Sequence, residues 1–169
     1  AEIDRTTVSM ETRLNVGISP RLTFQLFAQP LLSSGDYTRY RQLAESGTFE
    51  FVDLEPGQLA FDDDQATCTG GSICSLTGVD ETTQYVDFDG DGRADYHFRD
   101  RDFNVRSLVG NAVLRWEFRP GSTLFMVWQR QQRSRLAIGD FDFGRDLDGL
   151  LGSRADNVFM LKLSYWTSL

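Results

Sequence analysis

Residues 87–95 read Asp87-Phe88-Asp89-Gly90-Asp91-Gly92-Arg93-Ala94-Asp95, and here residue type and spacing point most directly to chemistry. Counted from Asp87, carboxylates fall at positions 1, 3, 5 and 9, with glycine at position 6. Calcium asks for about six to eight hard oxygens at about 2.3–2.6 Å. Alternate residues of a tight loop turn their carboxylates toward one centre, and Gly92 permits the sharp bend. The backbone carbonyl of Arg93 is a further candidate ligand. Four carboxylates this close repel one another without a cation, so a metal would fold the loop as much as the loop binds the metal. The competing reading is an acidic turn that is simply solvated.

The spacing resembles the first nine positions of an EF-hand loop and the Asp-rich loops of extracellular calcium repeats. Position 12, however, is Phe98 rather than glutamate, and the flanks read as short strands instead of two helices. The reading is therefore a structural Ca2+ loop with ligands Asp87, Asp89, Asp91, Arg93 and Asp95, and not an EF-hand sensor. Asp100 or Asp102 is the candidate that closes the shell. A second acidic run, Asp62-Asp63-Asp64, reads as a solvated loop. The single histidine, His97, lies between Tyr96 and Phe98 and reads as a packed or surface residue. No phosphate-binding glycine loop with lysine and no Gly-Xaa-Ser-Xaa-Gly motif occurs, and no carboxylate pair is singled out for hydrolysis. The expectation is a protein that is not an enzyme.

Cys68 and Cys74 enclose Thr-Gly-Gly-Ser-Ile, a glycine-rich stretch that turns back on itself easily. An even pair in an exported chain favours a disulfide; the alternative is two free thiols in a reducing compartment. Such a bridge pins a local loop and does not hold a fold. Export is itself the expectation, because the chain opens at Ala1 with no charged stretch leading into an apolar one, as after removal of a leader.

The 169 residues carry 17 basic and 25 acidic side chains, a net charge of −8. That average surface repels a phosphate backbone, so nucleic acid is excluded as a partner. Lys162 is the only lysine, which leaves arginines to make forked contacts with carboxylates. No apolar run reaches the roughly 18 residues of a spanning helix. Length and apolar content suit one domain.

Positioning the acidic loop are segments with a clear period of two. Residues 5–18 alternate Thr6, Val8, Met10, Thr12, Leu14, Val16 and Ile18 against polar neighbours, which predicts one long strand. Ser19-Pro20 turns it into a partner over 21–29. Residues 37–45 are expected to form a short connecting helix capped by Ser34 or Asp36. Residues 47–101 form a long insertion with short strands at 49–54, 85–88 and 94–98. Phe103 and Val105 lie in one register and Leu108 to Phe118 in the other, which predicts a bulge at Arg106 or Ser107. Arg119-Pro120-Gly121-Ser122 has the type II turn pattern and leads into a strand over 123–132. A helical turn at 145–151 and a last strand over 157–169 complete an all-β, antiparallel sheet of long hairpins, partial barrel or sandwich-like, with one or two short helices. We take residues 1–169 as one β domain, with long strands over about 5–29 and 103–169.

Several segments together carry a family resemblance: Arg13-Leu14-Asn15-Val16, Leu26-Phe27-Ala28-Gln29-Pro30, Ser34-Gly35-Asp36-Tyr37, Phe103 to Leu108, Gly110 to Ser122, and Gly139-Asp140-Phe141-Asp142. They resemble the C-terminal region, of unknown function, of bacterial outer-membrane barrel proteins that carry an N-terminal family-nine carbohydrate-binding module. The module itself is absent here, so sugar binding does not follow. Five long strands are fewer than the about eight of a closed bacterial barrel. The expected function is therefore a calcium-stabilised structural subunit, periplasmic or outer-membrane-associated. Its apolar sheet surface docks on protein subunits of a larger membrane-associated assembly at the periplasmic face, a photosynthetic reaction-centre complex among them. The alternatives are the terminal portion of an outer-membrane barrel and a carbohydrate-binding module using Trp116, Trp128 or Trp166. A small-molecule ligand is not expected.

Overall fold

A computed structural model describes residues 1–63, 65–78 and 82–167. Asp64 of the second acidic run, and the last two residues of the expected terminal strand, lie outside the described residues. The protein is all-β, about 66% strand and 6% helix, and none of its antiparallel sheets closes into a barrel.

The alternation over residues 5–18 does form strand, in two pieces: β1 (Glu2–Ser9) and β2 (Thr12–Ser19). Both pair with β3 (Leu22–Thr38), β2 in the register Leu14↔Leu26 and Val16↔Phe24. The break falls where the Met10 N–H donates to the carbonyl of Pro30 (3.2 Å). Proline has no N–H to return, so the ladder cannot continue unbroken past it.

The helix expected at 37–45 does not form. β3 continues to Thr38, Arg39 turns the chain with φ +49°, and β4 (Arg41–Leu43) pairs with β5 (Phe51–Asp53). The local reason is that the Tyr37 N–H donates to the Asp102 carboxylate (2.8 Å), a long-range acceptor that a helical turn would not use. Gly35 is also held under the ring of Phe103, where a side chain would collide.

Between Pro56 and Arg99 lie β6 (Gln58–Asp62), β7 (Gln65–Thr69), β8 (Ile73–Thr77), β9 (Thr82–Val86) and β10 (Tyr96–Arg99). β6 pairs with β7, and β8, β9 and β10 form a three-stranded sheet with β9 in the middle. Then come β11 (Phe103–Arg119), β12 (Ser122–Leu136), α1 (Phe143–Leu151) and β13 (Ala155–Ser164). The Pro120-Gly121 turn has Gly121 at φ +76°, as a type II turn requires at its third position. Asn104 and Arg106 are buried on the same even-numbered alternation as Leu108 to Phe118.

The large sheet has the order β1-β3-β11-β12-β13, with β2 also on β3. Contacts divide the chain into two compact units. One is Ala1–Thr6, Ser34–Asn104 and Leu136–Phe141; the other is Thr7–Ser33, Val105–Arg135 and Asp142–Leu169. The first has a small apolar core of Leu54, Ile73 and Val86, flanked by Tyr40 and Phe98.

The second unit buries Leu32 and Leu150 together with several polar groups, while large apolar side chains of its last strand stay exposed. The α1 residue Asp146 is fully buried and meets Arg106 (Nη2–Oδ1 3.1 Å), itself buried, and Arg145 (3.0 Å). Asp142 caps the helix by accepting from the Arg145 N–H (2.7 Å). Buried Gln132 lies at the other end, donating to the carbonyls of Leu150 (3.3 Å) and, just past the helix, Ser153 (2.9 Å). Phe159, Leu161 and Leu163 of β13, by contrast, are 76%, 72% and 63% exposed.

Candidate metal centre

The acidic residues 87–95 form the connection between β9 and β10, whose register begins at Val86↔Tyr96. The hairpin is closed by the Asp95 N–H donating to the Val86 carbonyl (2.8 Å). Gly90 (φ +79°) and Gly92 (φ +87°) both take the left-handed conformation, so the loop needs a second glycine beyond the one that motivated the sequence reading. The carboxylates organise the backbone. Asp87 accepts from the N–H groups of Gly90 (2.7 Å) and Gly92 (2.8 Å), Asp89 from Asp91 (3.1 Å), and Asp95 from Phe88 (2.8 Å).

Carboxylate oxygens of Asp87, Asp89 and Asp95 lie within 4.8 Å of one another, Asp87 buried and the other two exposed. Two oxygens bound to one hard cation at about 2.4 Å are separated by at most about 4.8 Å, so this spacing suits a shared ion. Each oxygen that accepts one N–H keeps a second lone pair. Asp91 is outside the group and accepts from the Arg93 N–H instead (2.7 Å). Arg93 forms an antiparallel bridge with Thr67, flanked by hydrogen bonds from Cys68 to Gly92 (2.8 Å) and from Ala94 to Ala66 (2.9 Å). In that geometry the Arg93 carbonyl points away from β7.

Asp100 and Asp102 do not close the shell. They follow β10, whereas the loop precedes it, and four strand residues put about 13 Å between the two ends. Asp100 accepts from the Tyr40 hydroxyl (2.8 Å) and the Gln84 amide (2.7 Å). Burial, then the hydrogen bond to Asp100, holds the Tyr40 hydroxyl well above the usual phenol range. Burial likewise pushes the Asp102 carboxyl up, reinforced by Asp100 and Asp36 and opposed by the Tyr37 N–H. A raised carboxyl favours the folded state when protonated, so its contribution is present below the ordinary value of 3.8 and fades as pH rises through the folded value. Asp102→Asn is therefore expected to gain stability relative to the parent as pH increases across that window. Urea unfolding of both proteins at several pH values checks this, and parallel curves would contradict it.

Cys68 and Cys74 form a disulfide, with Cα atoms 5.8 Å apart. Sequence spacing suggested a pinned local loop, but the bridge does more. β7 grips the outgoing limb of the acidic loop at Gly92 and Ala94. β8 grips the incoming limb through Ile73↔Val86 and the Ser72 carbonyl, which accepts from the Asp87 N–H (3.0 Å). The disulfide ties β7 to β8 and so staples the two limbs. Between the cysteines, Gly71 packs against the Glu55 carbonyl and the Pro56–Gly57 peptide, with no room for a side chain. Replacing both cysteines by serine is expected to cost about 2 kcal/mol by loop-closure entropy. Calorimetry of the parent against the variant measures it, and reductant is expected to lower the parent's stability while leaving the variant's unchanged.

The strands that grip the loop were the part sequence reasoning missed. The signal available was that each cysteine sits in a short strand, Cys68 in Gln65–Thr69 and Cys74 in Ile73–Thr77. Among the other candidates, Asp62 and Asp63 are exposed, and His97 is an exposed ring beside Tyr85 and Tyr96. The tryptophans are engaged separately: Trp128 stacks on Phe159 and donates to Asn157 (3.0 Å), Trp116 meets Phe118, and Trp166 lies against Gly121.

Fold and loop together define an antiparallel all-β protein of long hairpins with a disulfide-stapled acidic loop on its insertion. Residues 77–168 match the family described as a domain of unknown function, DUF5916, and the chain belongs to that family. No curated protein and no solved structure matches it.

Proposed function

We propose that the long strands are a segment of the wall of an outer-membrane-type β-barrel, and that the acidic loop is a structural calcium site on one of its long connections. The observation that carries this reading is the two-faced sheet. One face pairs Leu14 with Leu26, Val16 with Phe24, Leu124 with Leu163, Met126 with Leu161 and Trp128 with Phe159. The other pairs Asn15 with Gln25, Arg13 with Phe27, Gln131 with Asp156 and Phe125 with Lys162, and it includes Val127 with Met160, so it is mixed where the first is wholly apolar. One apolar face and one more polar face, on strands long enough to cross a band of about 25 Å when tilted, fits the barrel pattern.

Three further features support it. Connections alternate between short turns (Ser19–Leu22 and Arg119–Ser122) and long excursions, which is how such barrels divide their periplasmic and outer sides. Aromatic residues gather at the short-turn end, where Tyr165 accepts from Arg119 (2.9 Å) and the Trp166 N–H donates to Ser122 (3.0 Å). No helix among the described residues is long and apolar enough to cross a membrane, which leaves strands as the spanning element. The resemblance to the C-terminal region of outer-membrane proteins points the same way. At the loop, Asp87, Asp89 and Asp95 would hold the calcium with the Arg93 carbonyl nearby, and the ion's chemistry is charge neutralisation, not catalysis.

One observation favours the second reading, an accessory subunit docked by its apolar face on a periplasmic protein assembly. α1 covers Gln132, which shares a face with Trp128, so part of that face already accepts protein. Membrane washing separates the two. A wall segment is expected to remain through high salt, chelator and alkaline carbonate and to need detergent; release by salt or chelator alone would establish the docked subunit instead.

A further inference from the structure

We infer that the long-strand sheet is completed by an odd number of additional antiparallel strands, about three at the least, supplied by polypeptide other than residues 1–169 or a second copy of them. The inference rests on the barrel-wall reading above.

The argument is one of direction. β2 and β3 are antiparallel (Leu14↔Leu26), as are β12 and β13 (Met126↔Leu161). Between β3 and β11, the Arg21 carbonyl accepts from the Glu117 N–H (2.8 Å), while the Phe27 carbonyl lies beside Gly110, so residue numbers rise on one strand as they fall on the other. β11 and β12 are joined by the tight turn at Gly121. Four reversals return the chain to its starting direction, and β2 therefore runs the same way as β13.

Among the described residues β2 pairs only with β3, and β13 only with β12. Both edge strands are exposed over nearly their whole length. In hydrocarbon each outward N–H and C=O on such an edge lacks water and is costly, so both edges must be paired. Closing β13 directly on β2 would give a parallel seam in a cylinder too narrow to hold its own side chains. A second copy inserted in the same sense presents its β2 to β13, and that seam is parallel as well. A copy turned over gives an antiparallel β13–β13 seam, but it puts long connections on both sides of the membrane, against the one-sided arrangement of these barrels. An odd number of intervening strands makes both seams antiparallel. With five present and bacterial barrels starting at about eight, three is the smallest such number. The strands that fit are apolar on the side of Val16 and Leu161 and polar on the side of Asn15 and Lys162.

The test is photo-cross-linking in intact bacterial membranes, with p-benzoylphenylalanine replacing Val158, Met160 or Lys162 on β13 and Arg13 or Asn15 on β2, one site per protein. Mass spectrometry of the cross-linked peptides is the readout. The expected result is a ladder at each edge onto sequence outside residues 1–169, the captured residue moving back by two as the probe moves forward by two. Capture of β2 by β13, a ladder moving in the same direction as the probe, or no cross-link at any of the five sites would each overturn the inference. The same membranes are washed with carbonate. Release without detergent removes the barrel-wall reading whatever the ladder shows, whereas a detergent-held chain with a parallel or self-derived ladder removes this inference alone.

Discussion

Asp146→Ala is expected to destabilise the long-strand unit by about 3–5 kcal/mol, the range for removing one partner of a buried ion pair. The carboxylate is fully buried and holds Arg106 and Arg145, and it also accepts from the Asp142 N–H at the start of α1 (3.3 Å). Its loss removes this carboxylate from the buried Arg106 guanidinium, which is packed so closely on Gly149 that a methyl there would strike it. Denaturant unfolding followed by tryptophan fluorescence measures the loss. Asp146→Asn separates the causes, because the amide oxygen can keep the helix-start hydrogen bond while the oxygen that faces the arginines is replaced by an uncharged NH2 donor. A cost below about 1 kcal/mol for the alanine variant would mean that the pair is solvated in solution.

The second large effect is expected at Asp87. Replacement by alanine leaves the N–H groups of Gly90 and Gly92 without their acceptor beneath a residue that is 3% exposed. A buried donor left unsatisfied costs about 1–3 kcal/mol, and because Gly90 is exposed and Gly92 half-buried, water replaces part of what is lost, so a total of about 1–3 kcal/mol is expected before any metal is considered. Calcium adds a distinguishing readout. If the proposed site binds, millimolar calcium is expected to raise the parent's melting temperature and a chelator to reverse the gain, by about 2.7 kcal/mol at a hundredfold excess over Kd. Asp87→Ala and Asp89→Ala abolish that gain, while Asp91→Ala, whose carboxylate faces the Arg93 N–H, retains most of it. A parent melting temperature indifferent to calcium and chelator would reduce the loop to a network of backbone hydrogen bonds.

These residues show where sequence was informative and where it failed. Period-two alternation marked the long strands because each keeps one apolar face, and Pro120-Gly121 marked its turn because only glycine reaches φ +76° without strain. The spacing of aspartates located the acidic loop, since the hairpin it bridges is local. What pairs with that hairpin is not local. β6, β7 and β8 are five residues each, too short for alternation to stand out, and their partners are set by the disulfide and by β9. The helix expected at 37–45 failed for a similar reason: its spacing was helical, but Asp102, far along the chain, takes the Tyr37 N–H. Asp100 and Asp102 looked like loop ligands by proximity in sequence, which ignores that an intervening strand carries them to the hairpin's opposite end. Arg106 and Gln132 defeat the rule that polar residues face water, because α1 supplies a charge and two carbonyls for them beneath it.

The polar share of that interior has a calorimetric consequence. Heat capacity rises on unfolding in proportion to the apolar area newly given to water and falls with the polar area, for about 12–15 cal/mol/K per residue in ordinary domains. A unit that hides arginine, aspartate and glutamine beside Leu32 and Leu150, while leaving Phe159, Leu161 and Leu163 outside, has less apolar area to release than a wholly apolar core. It is expected to melt with a smaller heat-capacity step, and so a flatter stability curve, than an ordinary domain of its size.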